Sequence, residues 1–270
     1  PEGAEKEIAS VLRLIDEMNQ TLGLKKGVDY RYRLSLGDRT DSKKYYKDDA
    51  AWERAEGVLR KVLQGQKTPF FEAPNEAAFY GPKIDVQVKK VNGQEETAFT
   101  VQYDFVMPER FNLEYVGKDG KMHRPIVIHR ASIGCLERTI AFLIEHYAGE
   151  LPLWLSPVQV VVIPVGLKHE KACQKLGKEL REAGLRVDVF TADQSVGKSI
   201  RIAEKQKSPY MLVIGDKEVK SPKLHVRERA RPASPSASAD GGRGKEKLRL
   251  VAKKSFIAEL LKKIQTKAKR

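Results

Sequence analysis

Hydrophobic residues recur along this chain with two periods, and the changes between them mark its elements. Between residues 4 and 22, Ile8, Val11, Leu12, Leu14, Ile15 and Met18 repeat at about 3.6 residues, which predicts an amphipathic helix ended by Gly23. The alternation of Tyr30, Tyr32, Leu34 and Leu36 predicts a strand over 30–36. A second helix is predicted over 49–64, with Trp52, Ala55, Val58, Leu59 and Leu63 on one side. From 83 to 105 the period is two again, Ile84, Val86 and Val88 preceding the turn VNGQ and Phe99, Val101, Tyr103 and Phe105 following it. That pattern predicts a β-hairpin centred on Asn92-Gly93. A further strand pair, 113–116 with 125–129, is predicted around the turn GKDGK, and an apolar helix begins near Gly134 and runs through Leu136, Ile140, Leu143 and Ile144. Antiparallel hairpins with helices before and after them predict an α+β domain rather than a Rossmann sheet.

The stretch LPLWLSPV at 151–158 is punctuated by proline, and the rhythm changes after it. VQVVVIPV, a helix over 168–183, LRVDVFTA, a helix over 195–207 and YMLVIG alternate strand with helix. Strands of Val and Ile without polar alternation are what a sheet covered on both faces requires. The predicted organisation is therefore an α+β domain over 1–154 and an α/β domain with a mixed, mostly parallel sheet over 157–270. The run RPASPSASADGGRGK at 231–245 holds no apolar residue larger than Ala and is expected to be a mobile loop. Ser255 is expected to cap a last amphipathic helix carrying Phe256, Leu260, Leu261 and Ile264.

Charge separates the two parts further. The chain has 270 residues and a net charge of +14, but residues 1–156 carry 23 Lys or Arg against 24 Asp or Glu, while residues 157–270 carry 27 against 12. The whole basic excess thus lies in the second part, as expected of a module that meets a polyanion, with nucleic acid favoured over a membrane surface. No apolar run reaches the roughly 20 residues of a membrane span, and PEGAEKEIAS lacks a signal-peptide core, so a cytoplasmic chain without membrane partners is expected. The two cysteines, Cys135 and Cys173, have no CxxC spacing and cannot build a zinc ribbon. A chain that starts at Pro1 is expected to be a piece of something longer.

Several strings point to one family. AFYGPKIDVQV, TVQYDFVMPERFNLEYVG, RPIVIHRASIGCLERTIAFLIEHYAGELPLWLSPVQVVVIPV and PYMLVIGDKEV together resemble the C-terminal half of the threonyl-tRNA synthetase family, of bacterial type. The resemblance runs over nearly the whole chain except 231–245. It implies that residues 1–154 are the later part of a class II catalytic domain, whose antiparallel sheet holds ATP and amino acid, and that 157–270 bind the anticodon. The implied reaction is activation of threonine with Mg-ATP and transfer to tRNA(Thr), by a homodimer that uses zinc. Upstream, the family carries a dimer-forming motif, an FRxE-type Arg clamp for the ATP α-phosphate, and a Cys and a His that ligate zinc. None of these is present here, so the 270 residues are expected to be catalytically incomplete. A different class II synthetase and a non-catalytic RNA-binding protein with a synthetase-like fold are the alternatives.

The resemblance assigns residues as well. Gly134, Glu137 and Arg138 in GCLER match the third class II motif and imply ATP binding, with the Arg138 guanidinium stacking on the base and reaching phosphate. Cys135 stands where the family has Ser or Thr. His129 matches the third zinc ligand, the metal that holds the amino group and hydroxyl of threonine and thereby rejects valine; read alone, it is an ordinary strand-end histidine. Tyr80 and Lys83 in FYGPK, with Gln102 and Asp104, match the amino-acid and adenylate site. Thr97-Ala98 replaces the family's Gln-Cys. Glu218 in GDKEV and Arg227 in HVRER match positions that read anticodon bases, whose exposed edges suit carboxylate and guanidinium. Arg201 and Lys207, on the helix expected over 195–207, are expected to face the anticodon loop, and Asp193 stands where the family has Asn.

Overall fold

The computed structural model describes residues 3–66, 69–229 and 247–268, so the loop expected over 231–245 lies outside the described residues. The chain forms two compact units, Pro1–Phe142 and Leu143–Arg270.

In the first unit the elements follow as α1 (Ala4–Thr21), β1 (Tyr30–Ser35), α2 (Asp49–Gly65), β2 (Phe70–Ala73), β3 (Lys83–Lys89), β4 (Glu95–Asp104), α3 (Met107–Arg110), β5 (Tyr115–Val116), β6 (Met122–His123), β7 (Val127–Ala131) and α4 (Leu136–His146), within which the division falls. Five strands form one sheet in the order β2-β1-β3-β4-β7, antiparallel except for the β1–β2 pair. Alternation sends Tyr30, Tyr32, Leu34, Ile84, Val86, Phe99 and Val101 into the core. The helix α1 lies on that face, where Asp16 accepts hydrogen bonds from the Tyr30 and Tyr32 hydroxyls at 2.8 and 2.7 Å. Ile8, Leu12 and Ile15 of α1 and Leu59 and Leu63 of α2 are fully buried, each contributing roughly 1.5–3 kcal/mol. Residues of the opposite parity, Arg31, Arg33, Lys83, Asp85, Gln102 and Asp104, belong to the other face.

One predicted pairing is corrected. The segment 113–116 does not pair with 125–129: Tyr115 and Val116 pair with His123 and Met122, closed by a tight turn in which Gly117 N donates to Lys121 O at 2.8 Å. The next strand, β7, instead lies along the edge of β4, from Thr100↔Ala131 to Asp104↔Val127. A two-residue strand cannot satisfy a five-residue ladder, whereas the β4 edge offers five partners. This pairing brings His129 opposite Gln102.

The second unit comprises β8 (Val160–Pro164), a 3-10 turn (Leu167–His169), α5 (Glu170–Glu182), β9 (Val187–Val189), α6 (Val196–Lys205), β10 (Tyr210–Ile214), α7 (Asp216–Val219), β11 (Lys223–Glu228), β12 (Lys247–Ala252) and α8 (Lys253–Gln265). Its sheet order is β12-β11-β10-β8-β9, in which β9, β8 and β10 are parallel and β11 alone runs against the other four. Val160, Val162, Tyr210 and Leu212 pack with Cys173, Leu176 and Leu180 of α5 and Phe256 and Leu260 of α8. On the opposite face Val161, Ile163 and Met211 pack with Ala203 of α6. Burial on both faces accounts for the unbroken Val and Ile runs. The helix α8 starts at Lys253 directly from β12, with Ala252 as its N-cap, so Ser255 lies inside the first turn and does not cap it. The Pro-punctuated stretch before β8 is tied into this unit: Arg186 donates to the Ser156 and Trp154 carbonyls, and Gln159 to that of Leu153. Among the described residues no helix is long and apolar enough to cross a membrane.

Candidate functional site

The polar face of the first sheet gathers residues from five elements. Lys83 on β3 stands opposite Gln102 on β4, and Gln102 opposite His129 on β7, so the three form a row across the strands. Tyr80, in the turn before β3, donates its hydroxyl to Gln102 Oε1 at 2.6 Å, and its ring lies 5.4 Å from that of His129. Burial, then the charge of Asp104, push the Tyr80 phenol above its ordinary pKa, against the Gln102 hydrogen bond. Four of the residues expected at the amino-acid site or as the zinc ligand, Tyr80, Lys83, Gln102 and His129, are thus assembled on one face.

Asp104, the fifth, is fully buried beneath them. Its Oδ1 accepts from the backbone N–H of Val106 and Met107, and its Oδ2 lies 2.8 Å from His129 Nε2. The carboxylate therefore orients the imidazole through Nε2, and with the proton on Nε2 the lone pair lies on Nδ1, an arrangement that also occurs behind metal-binding histidines. Zinc needs more than this: among the described residues no group of three His, Cys, Asp or Glu could hold a metal ion. The residues present do not fit a zinc centre by themselves.

Next to this row lies a cluster that sequence reasoning missed. The fully buried Asp85 accepts from Ser35 Oγ at 2.7 Å, Arg33 Nη2 at 2.9 Å, Thr100 Oγ1 at 2.7 Å and Lys83 Nζ at 3.0 Å. Burial alone acts to raise this carboxyl, but Lys83, Arg33, Ser35 and Thr100 outweigh it and hold it below the usual carboxylate range. The signal was the period-two spacing of polar residues between apolar ones, Arg33 and Ser35 in β1 and Lys83, Asp85 and Gln87 in β3.

A β-bulge positions the remaining first-unit residues. Val86 pairs with Phe99 but Gln87 with Thr97, so Ala98 is the extra residue. Gly134, at φ +71°, packs on it: a Cβ there would lie 2.0 Å from the Ala98 carbonyl oxygen. From this contact α4 begins, and Arg138 reaches back to donate to the Thr97 carbonyl at 3.2 Å and to pair with Glu96 at 3.2 Å, its side chain still 54% exposed. Thr97 itself accepts from Gln87 at 2.6 Å through its hydroxyl. Glu137 is exposed and accepts from the Cys135 thiol at 3.0 Å, which keeps its pKa below the ordinary value.

In the second unit Glu218 lies on α7, just after β10. Its Oε2 accepts from Gly215 N at 3.0 Å and its Oε1 lies 2.7 Å from His225 Nδ1. Burial acts to raise its pKa, but the backbone N–H groups and His225 outweigh that and lower it. Arg227 is half-buried two residues along β11 from His225, opposite Met211 on one side and Leu248 on the other. Through His225, Glu218 reaches β11 two residues from Arg227, which shares that strand face with His225. Lys207 is not on α6 as expected: it lies beyond the C-cap Gln206 at φ +60°, and its ammonium pairs with Glu150 at 3.5 Å. It precedes β10, whereas Glu218 follows it, so the strand separates the two. Arg201 is exposed on α6, and Asp193 accepts from Thr191 at 2.6 Å.

Residues 1–147 match the family model of the tRNA synthetase class II core domain (G, H, P, S and T), and residues 159–263 match that of an anticodon binding domain. The chain belongs to the class II tRNA synthetases. Threonine–tRNA ligase from Halalkalibacterium halodurans is 45% identical over 241 residues, 89% of this chain and 37% of the relative, and threonine–tRNA ligase 1 from Bacillus subtilis matches to the same extent. The chain therefore spans little more than a third of the curated relatives it matches. Among solved structures, the RNA binding domain of threonyl-tRNA synthetase from Cryptosporidium parvum superposes with a TM-score of 0.80 at 28% identity, covering 100% of this chain and 62% of that one. Class II membership agrees with the antiparallel sheet and its polar face, and the anticodon-domain match spans β8 to α8, including Glu218, His225 and Arg227.

Proposed function

We propose that this chain is the part of a threonine–tRNA ligase that floors the adenylate site and reads the anticodon, in a reaction that activates threonine with Mg-ATP and transfers it to tRNA(Thr). The supporting observation is 45% identity to threonine–tRNA ligases over 89% of the chain. The assembled Tyr80, Lys83, Gln102 and His129 row agrees with it. In this reading the domains are 1–154 and 157–270. Lys83, Tyr80 and Gln102 orient the amino acid and adenylate, while Asp104 acts through His129. Arg138 swings from the Thr97 carbonyl to stack on the nucleotide, with Gly134 and Glu137 shaping the start of its helix. Such a site works by positioning and by charge placed where the phosphoryl centre reacts. Zinc binding and a homodimer are proposed only for a longer protein, one that brings two further ligands to His129.

Glu218 and Arg227 read bases, and Arg201 contributes positive charge, while Lys207 is held back from the RNA by its pairing with Glu150. The test is RNA binding by fluorescence titration. The 270-residue chain should bind a threonine anticodon stem-loop more tightly than an unrelated stem-loop of equal length, with affinity falling linearly in log salt. Equal affinity for the two RNAs would refute the anticodon reading.

A further inference from the structure

On β11 of the second sheet, the exposed His225 touches Glu218 without having been assigned any part in RNA recognition. The Glu218 carboxylate has two tethers, Gly215 N on Oε2 at 3.0 Å and His225 Nδ1 on Oε1 at 2.7 Å, and its side chain is only 14% exposed. A carboxylate held at one oxygen still turns about its last torsion; held at both, its remaining lone pairs point in fixed directions. The register then places the rest. Leu250 stands opposite His225 and Leu248 opposite Arg227, and both leucines are exposed, at 53% and 67%. An apolar floor beside one oriented acceptor and one guanidinium suits a flat, unstacked base, which offers a face to pack and edges to pair.

We propose that His225 is a positioning residue for base recognition, aligning the Glu218 carboxylate toward the open surface of β11 and β12. This rests on the reading that the second unit binds an anticodon. Losing His225 leaves Glu218, among the described residues, held by backbone N–H groups without a side-chain partner on Oε1, so discrimination between bases falls while phosphate contacts are untouched. His225 lies on an exposed strand position, and its replacement leaves no buried cavity.

The experiment uses the 270-residue chain with His225→Ala, His225→Asn and Glu218→Gln, titrated against the threonine anticodon stem-loop and an unrelated stem-loop at several salt concentrations. His225→Ala should lower the ratio of the two affinities by roughly 3- to 30-fold, with the salt slope unchanged. His225→Asn, whose amide donates from near the Nδ1 position, should restore most of it, and His225→Ala should add nothing in the Glu218→Gln background. Without RNA, the carboxylate 13C titration of Glu218 should move to higher pH in His225→Ala and return in His225→Asn. Equal loss on both RNAs with a shallower salt slope would make His225 a phosphate contact and overturn the proposal. So would an unchanged ratio in His225→Ala when Glu218→Gln abolishes it. If Glu218→Gln leaves the ratio unchanged as well, Glu218 reads no base, the anticodon assignment of that residue is what fails, and the role of His225 falls with it.

Discussion

Replacing Asp85 with Asn tests whether the buried carboxylate organises the polar face. Asp85 is fully buried, with Arg33 and Lys83 only 16% and 18% exposed around it, and all four of its hydrogen-bond partners are donors. Asn keeps the shape, but it removes the charge and turns an amide N–H2 toward donors. Two charge-assisted bonds are worth about 1.5–3 kcal/mol each. Residual water and Glu76, 3.3 Å from Arg33, recover part of this, so a loss of about 3 kcal/mol is expected. With a urea slope of about 2 kcal/mol/M the midpoint of the first unit should fall by about 1.5 M.

The assay is urea unfolding followed by Trp52, which packs edge-on against Tyr45 and Phe105, in a Trp154→Phe background so that the first unit alone reports. Because the Asp85 carboxyl is held below its ordinary pKa, its contribution is fully present above the unfolded carboxylate value of about 4 and is lost as pH falls through the folded value. The difference between wild type and variant should therefore be constant from about pH 5 to 8 and shrink only below about pH 4. A loss under about 1 kcal/mol at pH 7, or a difference that grows on acidification, would refute the argument.

Other outcomes follow from the same geometry. Gly134→Ala meets a left-handed backbone and the Ala98 carbonyl at 2.0 Å, so it should cost at least about 1–2 kcal/mol in urea unfolding and detach Arg138 from Thr97; unchanged stability would show that the loop relaxes freely. Arg227→Ala should weaken binding of the threonine stem-loop by roughly 1–3 kcal/mol more than that of an unrelated one, and equal losses would reduce Arg227 to a backbone contact. Lys207→Ala should change the salt slope by less than about one unit, because Glu150 already holds its charge, and a full unit would show a phosphate contact. Since the described residues supply His129 alone toward a metal, the 270-residue chain should show no threonine-dependent pyrophosphate exchange, and exchange at an enzymatic rate would contradict that.

Periodicity alone determined most elements, because burial on one side imposes a period that a linear reading can detect. The helices α1, α2 and α5 and the β3–β4 hairpin carry it, whereas the Val-rich strand β8, buried on both faces, was legible by its unbroken apolar run. The polar face of the first sheet was legible in the same way, as the alternate residues of β3 and β4. Family strings then named Tyr80, Lys83, Gln102 and His129, and these do come together. Short or edge strands were not legible: β2, β11 and β12 have four to six residues and exposed positions, so their pattern is diluted. Beyond the β3–β4 hairpin, pairing was not legible in the sequence, since hydrogen-bond partners far apart in the chain leave no local trace. Only the tertiary structure decided that β7 lies on β4 rather than beside β5, and with it that His129 stands opposite Gln102. The same holds for side chains that act across elements. Asp85 gathers Arg33 from β1, Lys83 from its own strand and Thr100 from β4, and His225 holds Glu218 from a different element. Their chemistry arises from distances that the fold sets, which neither composition nor spacing encodes.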